Sequence, residues 1–271
     1  MTMMTLQKTS CFVINLPRDV ERRARMEAVL NDLRLEFAIV DAVIGSKLRP
    51  NQLEFFDHFA EMNLRPAEYG CMMSHIECWR AFLASDADRA LVCEDDIHVA
   101  PHIKECLAAL DFPVDGPAIV RLEGFGSFTT FSVRPRQMIG RYGLHRMFTD
   151  HGGTAGYVVD RRSAQFLLEA APRFRNAIDI EMFFPTRRSF SGIDVYQFIP
   201  ALIMQDEILT RNRSVGYLKS NMGDQRADRS IWNKRNVLQR LKGQARPYYQ
   251  AIYSAWLRIF AGKMRLIVPF K

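Results

Sequence analysis

Residues 11–43 constrain the fold more than any other stretch. CFVINL, residues 11–16, is a short apolar run suited to a buried strand. Pro17 breaks it, and Asp19 can cap a following helix. The helix expected over about 20–33 carries Arg22, Arg23 and Arg25 on its outer side, with Ala24, Ala28, Leu30 and Leu33 available to a core. A second apolar run follows at Phe37–Val43. Strand, helix and strand within about 30 residues describe a βαβ unit, and with it a parallel sheet of the α/β class.

The alternation continues downstream. Residues 45–65 read as irregular or loosely helical. Pro66 opens a clear helix with Met72, Ile76, Trp79 and Leu83 on one apolar face. Pro66 and Glu68 suit a helix N-terminus. ALVC (90–93) is a strand, a short helix is expected around 101–110, and Ala118–Leu122 is another strand. Thr129–Val133 and Gly143–Phe148 read as a hairpin laid on the main sheet. TAGYVV (154–159) is a strand before a helix at about 161–171, and 193–204 is the last strand-like run.

Charge divides the chain. From residue 211 to the end there are 14 Lys/Arg against two acids, Asp224 and Asp228, whereas residues 1–210 hold 23 basic and 28 acidic residues, a net of −5. The expected organisation is a domain over 1–210 and a basic helical extension over 211–271. Within that extension, Tyr248–Phe260 places aromatic and aliphatic residues on about half of a helix, flanked by Lys263, Arg265 and Lys271. Such a helix suits an anionic membrane interface or packs back on the domain. No stretch approaches the roughly 18 apolar residues of a membrane span, and Met1–Ser10 lacks the apolar core of a signal peptide. The expected location is the cytoplasm, with the tail on the inner face of the membrane. The five cysteines are odd in number and form no CxxC pair, which fits free thiols rather than a disulfide framework or a zinc finger. The net-acidic main domain and the lack of a nucleic-acid motif argue against a nucleic-acid partner.

The strongest chemical feature is VCEDD (92–96). Three consecutive acids after a buried strand repel one another, and desolvation worsens the repulsion. A hard divalent cation relieves it with oxygen ligands, and ligands bind at the carboxyl ends of strands in open α/β sheets. Glu94 and Asp96 share a side if the chain stays extended, which makes them the natural metal pair and turns Asp95 toward a supporting or ribose contact. A solvated turn with a helix cap explains the same triplet. In EYGCMMSH (68–75), Gly70 permits close backbone approach to a diphosphate at a helix N-terminus, and Ser74 points away from the apolar face toward solvent. His75, on the edge of that face, is a candidate ligand contact or a hydrogen-bonded core residue. Asn15 offers a base or ribose contact, and Arg18 and Arg22 offer phosphate contacts; a solvated helix face explains Arg22 as well. Asp179, with Glu181, can supply a general base or be a surface acid.

These segments together resemble glycosyltransferase family 25, which includes bacterial lipopolysaccharide galactosyltransferases and related collagen-modifying enzymes. The resemblance rests on FVINLPRDVERR (12–23), LRPAEYGCMMSHIECW (64–79), ALVCEDDI (90–97) and GGTAGYVVDRRSAQFLL (152–168), in the family's order, with AIDIEMF (177–183) as a weaker fifth block. It implies a GT-A-like nucleotide-sugar-binding domain with a mostly parallel central sheet. It further implies transfer from a UDP-sugar, often UDP-galactose, with inversion. The metal, manganese in such enzymes, is then held by Glu94 and Asp96. The GTAGY block, Thr154 included, lines the donor or acceptor cleft, and Asp179 is the base. The acceptor implied is a saccharide or glycolipid of lipopolysaccharide or another surface glycan. Two departures stand out: IMQDEILTRNRS (203–214) matches only loosely the family's glutamine-containing end, and the basic tail has no counterpart. The rival readings are a metal-dependent sugar-nucleotide phosphohydrolase built on the same acids and, from the tail alone, a nucleic-acid-binding protein.

Overall fold

The computed structural model describes residues 8–210, 258 and 261–271. In chain order the elements are β1 (Thr9–Asn15), α1 (Val20–Asp32), β2 (Phe37–Asp41), a one-turn α2 (Pro50–Leu53), α3 (Pro66–Ala84), β3 (Arg89–Glu94), β4 (Ile97–Val99), α4 (Ile103–Ala109), β5 (Ala118–Arg121), β6 (Glu123–Gly124), β7 (Phe128–Ser132), β8 (Gln137–Ile139), β9 (Tyr142–Arg146), β10 (Gly156–Asp160), α5 (Arg161–Ala170), α6 (Ile178–Phe183), β11 (Asp194–Ile199), β12 (Ile203–Gln205), α7 (Asp206–Thr210) and β13 (Lys263–Ile267).

Eight strands form one sheet in the order β2-β1-β3-β10-β5-β11-β9-β8. Successive side chains enter opposite faces, as a strand requires. Phe12, Ile14, Ala90, Val92, Tyr157 and Val159 join the core under α3, α5 and α6. Cys11, Val13, Leu91, Cys93 and Val158 join the core under α1 and α4. Helices therefore cover both faces, and the central strands are apolar on both sides, which is why they read as continuous runs rather than alternating ones.

The sheet is mixed, not mostly parallel. β1 pairs in parallel with β2 and β3, and β5 with β11. β10 lies antiparallel between β3 and β5, and β9 is antiparallel to both β11 and β8. A parallel neighbour needs a crossover that returns the chain to the starting edge. β10 has none: Gly156 pairs with Cys93 and Tyr157 with Arg121, so β10 starts where β3 and β5 end and runs back. The loop before it, residues 150–155, is thereby delivered to the carboxyl ends of those two strands.

The expected hairpin is also rearranged. β9 pairs with β8 inside the main sheet, whereas β7 pairs with β13 in a separate ribbon. The run at 193–204 divides at Pro200, and β12 leaves the main sheet to lie between β4 and β6. On α1 the core positions are Met26 and Leu30; Ala24 and Ala28 face solvent, and Arg22 and Arg25 turn inward.

Most of Tyr248–Phe260 lies outside the described residues. Beyond it the chain is extended rather than helical: β13 pairs with β7, Val268 is buried, and the Tyr142 hydroxyl donates to the Lys271 carbonyl across 2.9 Å. Lys263 and Arg265 lie over the rings of Phe148 and Phe128, at 4.3 and 5.3 Å from the centroids. The five cysteines form no disulfide among the described residues, and no described helix is long and apolar enough to cross a membrane.

Candidate active site

The acidic triplet lies at the end of β3; Asp95 and Asp96 share Arg22, and Glu94 takes other partners. β1 and β3 run in parallel with Ile14 opposite Glu94, which sets Asn15 beside Asp95. Asn15 Nδ2 donates to Asp95 Oδ2 at 2.7 Å. Arg22, projecting inward from the first turn of α1, donates through Nη1 to Asp95 Oδ1 at 2.8 Å and through Nη2 to Asp96 Oδ2 at 3.3 Å. Its neighbour on the same face, Arg25, donates to the Ile97 carbonyl at 2.7 Å. The outward-facing arginine is Arg23, paired with Glu27. Arg22 was expected on a solvated face; the carboxylates at the end of β3 draw its guanidinium in, because two buried acids need a nearby cation.

Glu94 faces a different group of residues. Thr154 Oγ1 donates to its Oε1 at 2.9 Å, Gln205 Nε2 donates to its Oε2 at 3.1 Å, and His75 Nε2 lies 4.0 Å from Oε1. Gln205 reaches it because β12 pairs with β4 in a register that sets Gln205 against Ile97, and the Asp206 amide donates to the Asp96 carbonyl. The loosely matching segment at 203–214 thus contributes a glutamine to the triplet.

A fourth acid, Glu123, closes the cluster. It lies just past the end of β5, fully buried, and its Oε2 accepts from Arg121 Nη2 at 3.0 Å and from the Ala155 amide at 2.9 Å. Arg121 also donates to the carbonyls of His151 and Gly152, and its guanidinium lies 4.5 Å from the Phe183 ring centroid. Gly153 has φ +85°, and a Cβ there would fall 2.5 Å from Glu123 Oε1. Loop 150–155 is therefore fastened to the Arg121–Glu123 pair and passes too close to the Glu123 carboxylate at position 153 for a side chain there. Glu123 is not legible as a site residue from the sequence, since a single Glu after an apolar run looks like a solvated turn. Its signal was positional: Arg121 and Glu123 are two residues apart at the end of a buried strand and so share a face.

The electrostatics of the cluster favour protons or cations. Burial, and then the charges of Asp96 and Glu123, push the Glu94 carboxyl up to about 8. Burial pushes Glu123 up to about 7 against the pull of Arg121. Asp95 and Asp96 are raised by burial and pulled back by Arg22. The nearby arginines, Arg22, Arg25 and Arg121, are fewer than the four carboxyls Glu94, Asp95, Asp96 and Glu123. Asp96 Oδ1 and Glu123 Oε1 are buried without a hydrogen-bond partner.

The remaining candidates spread around this centre. His75 is fully buried, held neutral by burial that lowers its pKa to about 3. Its Nδ1 lies 3.0 Å from the Tyr157 hydroxyl, which also accepts from Trp79 Nε1 at 2.8 Å. Its Nε2 has no hydrogen-bond partner, an arrangement that costs about 1–3 kcal/mol when nothing fills it. Ser74 is buried, not exposed: its hydroxyl donates to the Gly70 carbonyl and accepts from the Val43 amide. Helix α3 is covered on several sides, so its small polar positions face neighbours. At Gly70 a Cβ would fall 2.4 Å from the Val43 carbonyl oxygen, so this glycine serves close packing of α3 on the loop after β2. Arg18 lies exposed in the turn after β1, 3.9 Å from Asp19. Asp179, on the first turn of α6, is half-buried, and its charge reaches Arg121 and Glu123. Glu181 is structural: its carboxylate accepts from the amides of Arg175, Asn176 and Ser189.

A model of glycosyltransferase family 25 (LPS biosynthesis protein) matches residues 8–182, the span that contains Asn15, Arg22, His75, the acidic triplet, Glu123, Thr154 and Asp179 but not Gln205. The chain belongs to glycosyltransferase family 25. It is 30% identical over 221 residues to the lacto-N-neotetraose biosynthesis glycosyltransferase LgtE of Neisseria meningitidis serogroup B, covering 75% of this chain and 78% of that one. It is 29% identical over 206 residues to LgtB of Neisseria gonorrhoeae, of the same description, covering 72% and 73%. It is 28% identical over 185 residues to human procollagen galactosyltransferase 2, covering 64% of this chain and 29% of that one.

Proposed function

We propose that this glycosyltransferase moves galactose from a UDP-sugar to a saccharide acceptor of lipopolysaccharide or another surface glycan, with metal dependence and inversion at the anomeric carbon. The observation that carries this reading is the under-neutralised carboxyl cluster of Glu94, Asp96 and Glu123 at the carboxyl ends of β3 and β5. The galactosyl donor is suggested by the name of the human relative and the acceptor by those of the Neisseria relatives. Hard oxygen donors and an unpartnered buried carboxylate oxygen on Asp96 fit a divalent cation such as manganese. Glu94 and Asp96 would hold such an ion, which would supply positive charge toward the diphosphate of a UDP-sugar.

The chain's own residues do the rest. Arg22 favours the charged forms of Asp95 and Asp96 against their burial, and Asn15 and Asp95 offer polar contacts to the nucleoside. Thr154 and Gln205 aim Glu94. Asp179 takes the proton from the acceptor hydroxyl as its oxygen attacks the anomeric carbon from the face opposite UDP, and no covalent enzyme intermediate forms. The basic stretch 211–258 holds the enzyme at the anionic inner face of a membrane that carries a glycolipid acceptor.

Incubation with UDP-galactose, with and without an acceptor saccharide, tests this reading. UDP release that rises with acceptor supports transfer, whereas release indifferent to acceptor assigns the site to sugar-nucleotide hydrolysis.

A further inference from the structure

Asp95 and Asp96 lie on the side of the triplet bound by Arg22. The other side of Glu94 is different. Among the described residues, one ligand atom each from Cys71, His75 and Glu94 lie within 4.8 Å of one another. Cys71 and His75 are four residues apart on α3 and so stack on one helix face. That face meets the end of β3, where Glu94 Oε1 stands 4.0 Å from His75 Nε2.

Two further observations point to a ligand here. His75 is fully buried, and its Nε2 is aimed at this group with no hydrogen-bond partner. Its other nitrogen is anchored on the Tyr157 hydroxyl, itself held by Trp79, as a ligating imidazole is anchored through its distal nitrogen. Glu94 is aimed likewise by Thr154 and Gln205, each on one oxygen. We propose that Cys71 Sγ, His75 Nε2 and a Glu94 oxygen form a three-ligand site for a zinc-like divalent cation.

The donor set decides the class of metal. Thiolate, imidazole and carboxylate together suit zinc or cobalt, whereas manganese favours all-oxygen surroundings. Bond lengths of about 2.0–2.3 Å in a tetrahedral site put ligand atoms roughly 3.3–3.6 Å apart. The group must therefore tighten by about 1 Å, within reach of side-chain rotation by the half-buried Cys71 and Glu94. Three protein ligands leave a fourth position open, the arrangement of catalytic rather than structural zinc. The site shares Glu94 with the oxygen pair proposed above but not Asp96, so it is a second cation position on the other side of that carboxylate and does not rest on the proposed function.

Cobalt reads the site directly, because a thiolate ligand gives a near-ultraviolet sulfur-to-cobalt charge-transfer band. Metal-free full-length protein titrated with Co²⁺ is expected to develop that band at one equivalent and lose it on adding Zn²⁺. Cys71→Ser should abolish the band, Glu94→Gln should weaken cobalt binding at least tenfold, and Asp96→Asn should leave the band in place. Circular dichroism and thermal unfolding confirm that each variant is folded. Absence of the band in the wild type, or its survival in Cys71→Ser, overturns the site; the first result is expected if His75 Nε2 carries a proton toward Glu94. Transfer without a thiolate band would sink the site and keep the transferase reading. A Cys71-dependent band in a protein that transfers no sugar would do the reverse.

Discussion

The Thr154 hydroxyl donates to Glu94 across 2.9 Å, tying the loop that precedes β10 to the last residue of β3. Two features of the fold create the contact. β10 is antiparallel to β3, so its leading loop arrives at the carboxyl end of β3. The buried Arg121–Glu123 pair then holds that loop against β5. Thr154 is also a hydrogen-bond donor that favours the ionised form of Glu94. Thr154→Val keeps the shape and removes the donor. The Glu94 carboxyl should rise further, and the pH at which transfer reaches half its maximum should move upward. A loss of roughly tenfold in kcat/KM at neutral pH is expected, corresponding to about 1.4 kcal/mol. An unshifted pH profile would show that Glu94 ionisation does not limit the reaction.

The same carboxyls set a pH dependence of stability. Glu94 is raised to about 8 and Glu123 to about 7 in the folded protein, from ordinary values near 4.5. A raised carboxyl binds its proton more tightly when folded. Its stabilising contribution is therefore complete below pH ~4.5 and is lost as pH rises through the folded value. Metal-free protein should lose on the order of a few kcal/mol between about pH 5 and pH 8. Glu94→Gln should flatten that decline, and a saturating divalent cation should restore stability at pH 8. Thermal unfolding across pH, with and without the ion, measures all three.

Asp179 separates chemistry from architecture on α6. Its neighbour Glu181 holds three backbone amides, while the Asp179 carboxylate accepts from the Ile180 amide next to it. Asp179→Asn should fold normally and lower kcat by about 10²–10⁴, with little change in KM for the UDP-sugar. Glu181→Gln should instead lower the melting temperature. If Asp179→Asn kept a wild-type kcat, the base would lie elsewhere.

The parts of this molecule legible in the sequence are those determined locally. Pro17, the apolar run before it and the periodicity of the following residues define β1 and α1 within a residue or two. The triplet's place at the end of β3 follows from ALVC alone. The direction of β10 was not legible, because direction depends on which end of its neighbours the chain enters. Arg22 was misplaced for a related reason. Periodicity sends charge outward, and only the distant Asp95 and Asp96 make an inward guanidinium favourable. Glu123 and Ser74 escaped because each is a polar residue whose burial is supported by partners far along the chain, Ala155 and Val43.

Gly153 and Arg121 test how the loop is held. Gly153→Ala forces a side chain into a positive-φ position and against Glu123, so the loop must shift. Arg121→Met leaves Glu123 buried without its cation, a change that costs about 3–5 kcal/mol. Gly153→Ala should lower transfer more than stability, since Thr154 and Glu94 separate when the loop moves. Arg121→Met should lower both. Chemical denaturation beside steady-state kinetics distinguishes the two patterns.

The end of the chain makes the last case. β13 pairs with β7 along five residues, placing Met264 opposite the fully buried Phe131. Val268 is buried as well, and Phe270 bridges Ala201 just before β12. β12 carries Gln205, so the terminus braces the strand that aims Glu94. Removing residues 261–271 exposes Phe131 and frees Ala201. The expected loss is roughly 2–5 kcal/mol, of the size seen for emptying one large core position. Transfer should fall with it, even on a soluble acceptor saccharide. Replacing residues 215–245 with a short neutral linker keeps β13 and removes basic charge. That variant should retain transfer to a soluble acceptor and bind anionic vesicles more weakly than the full chain. Equal vesicle binding by both proteins would end the membrane role of the basic stretch while leaving the bracing role of β13 intact.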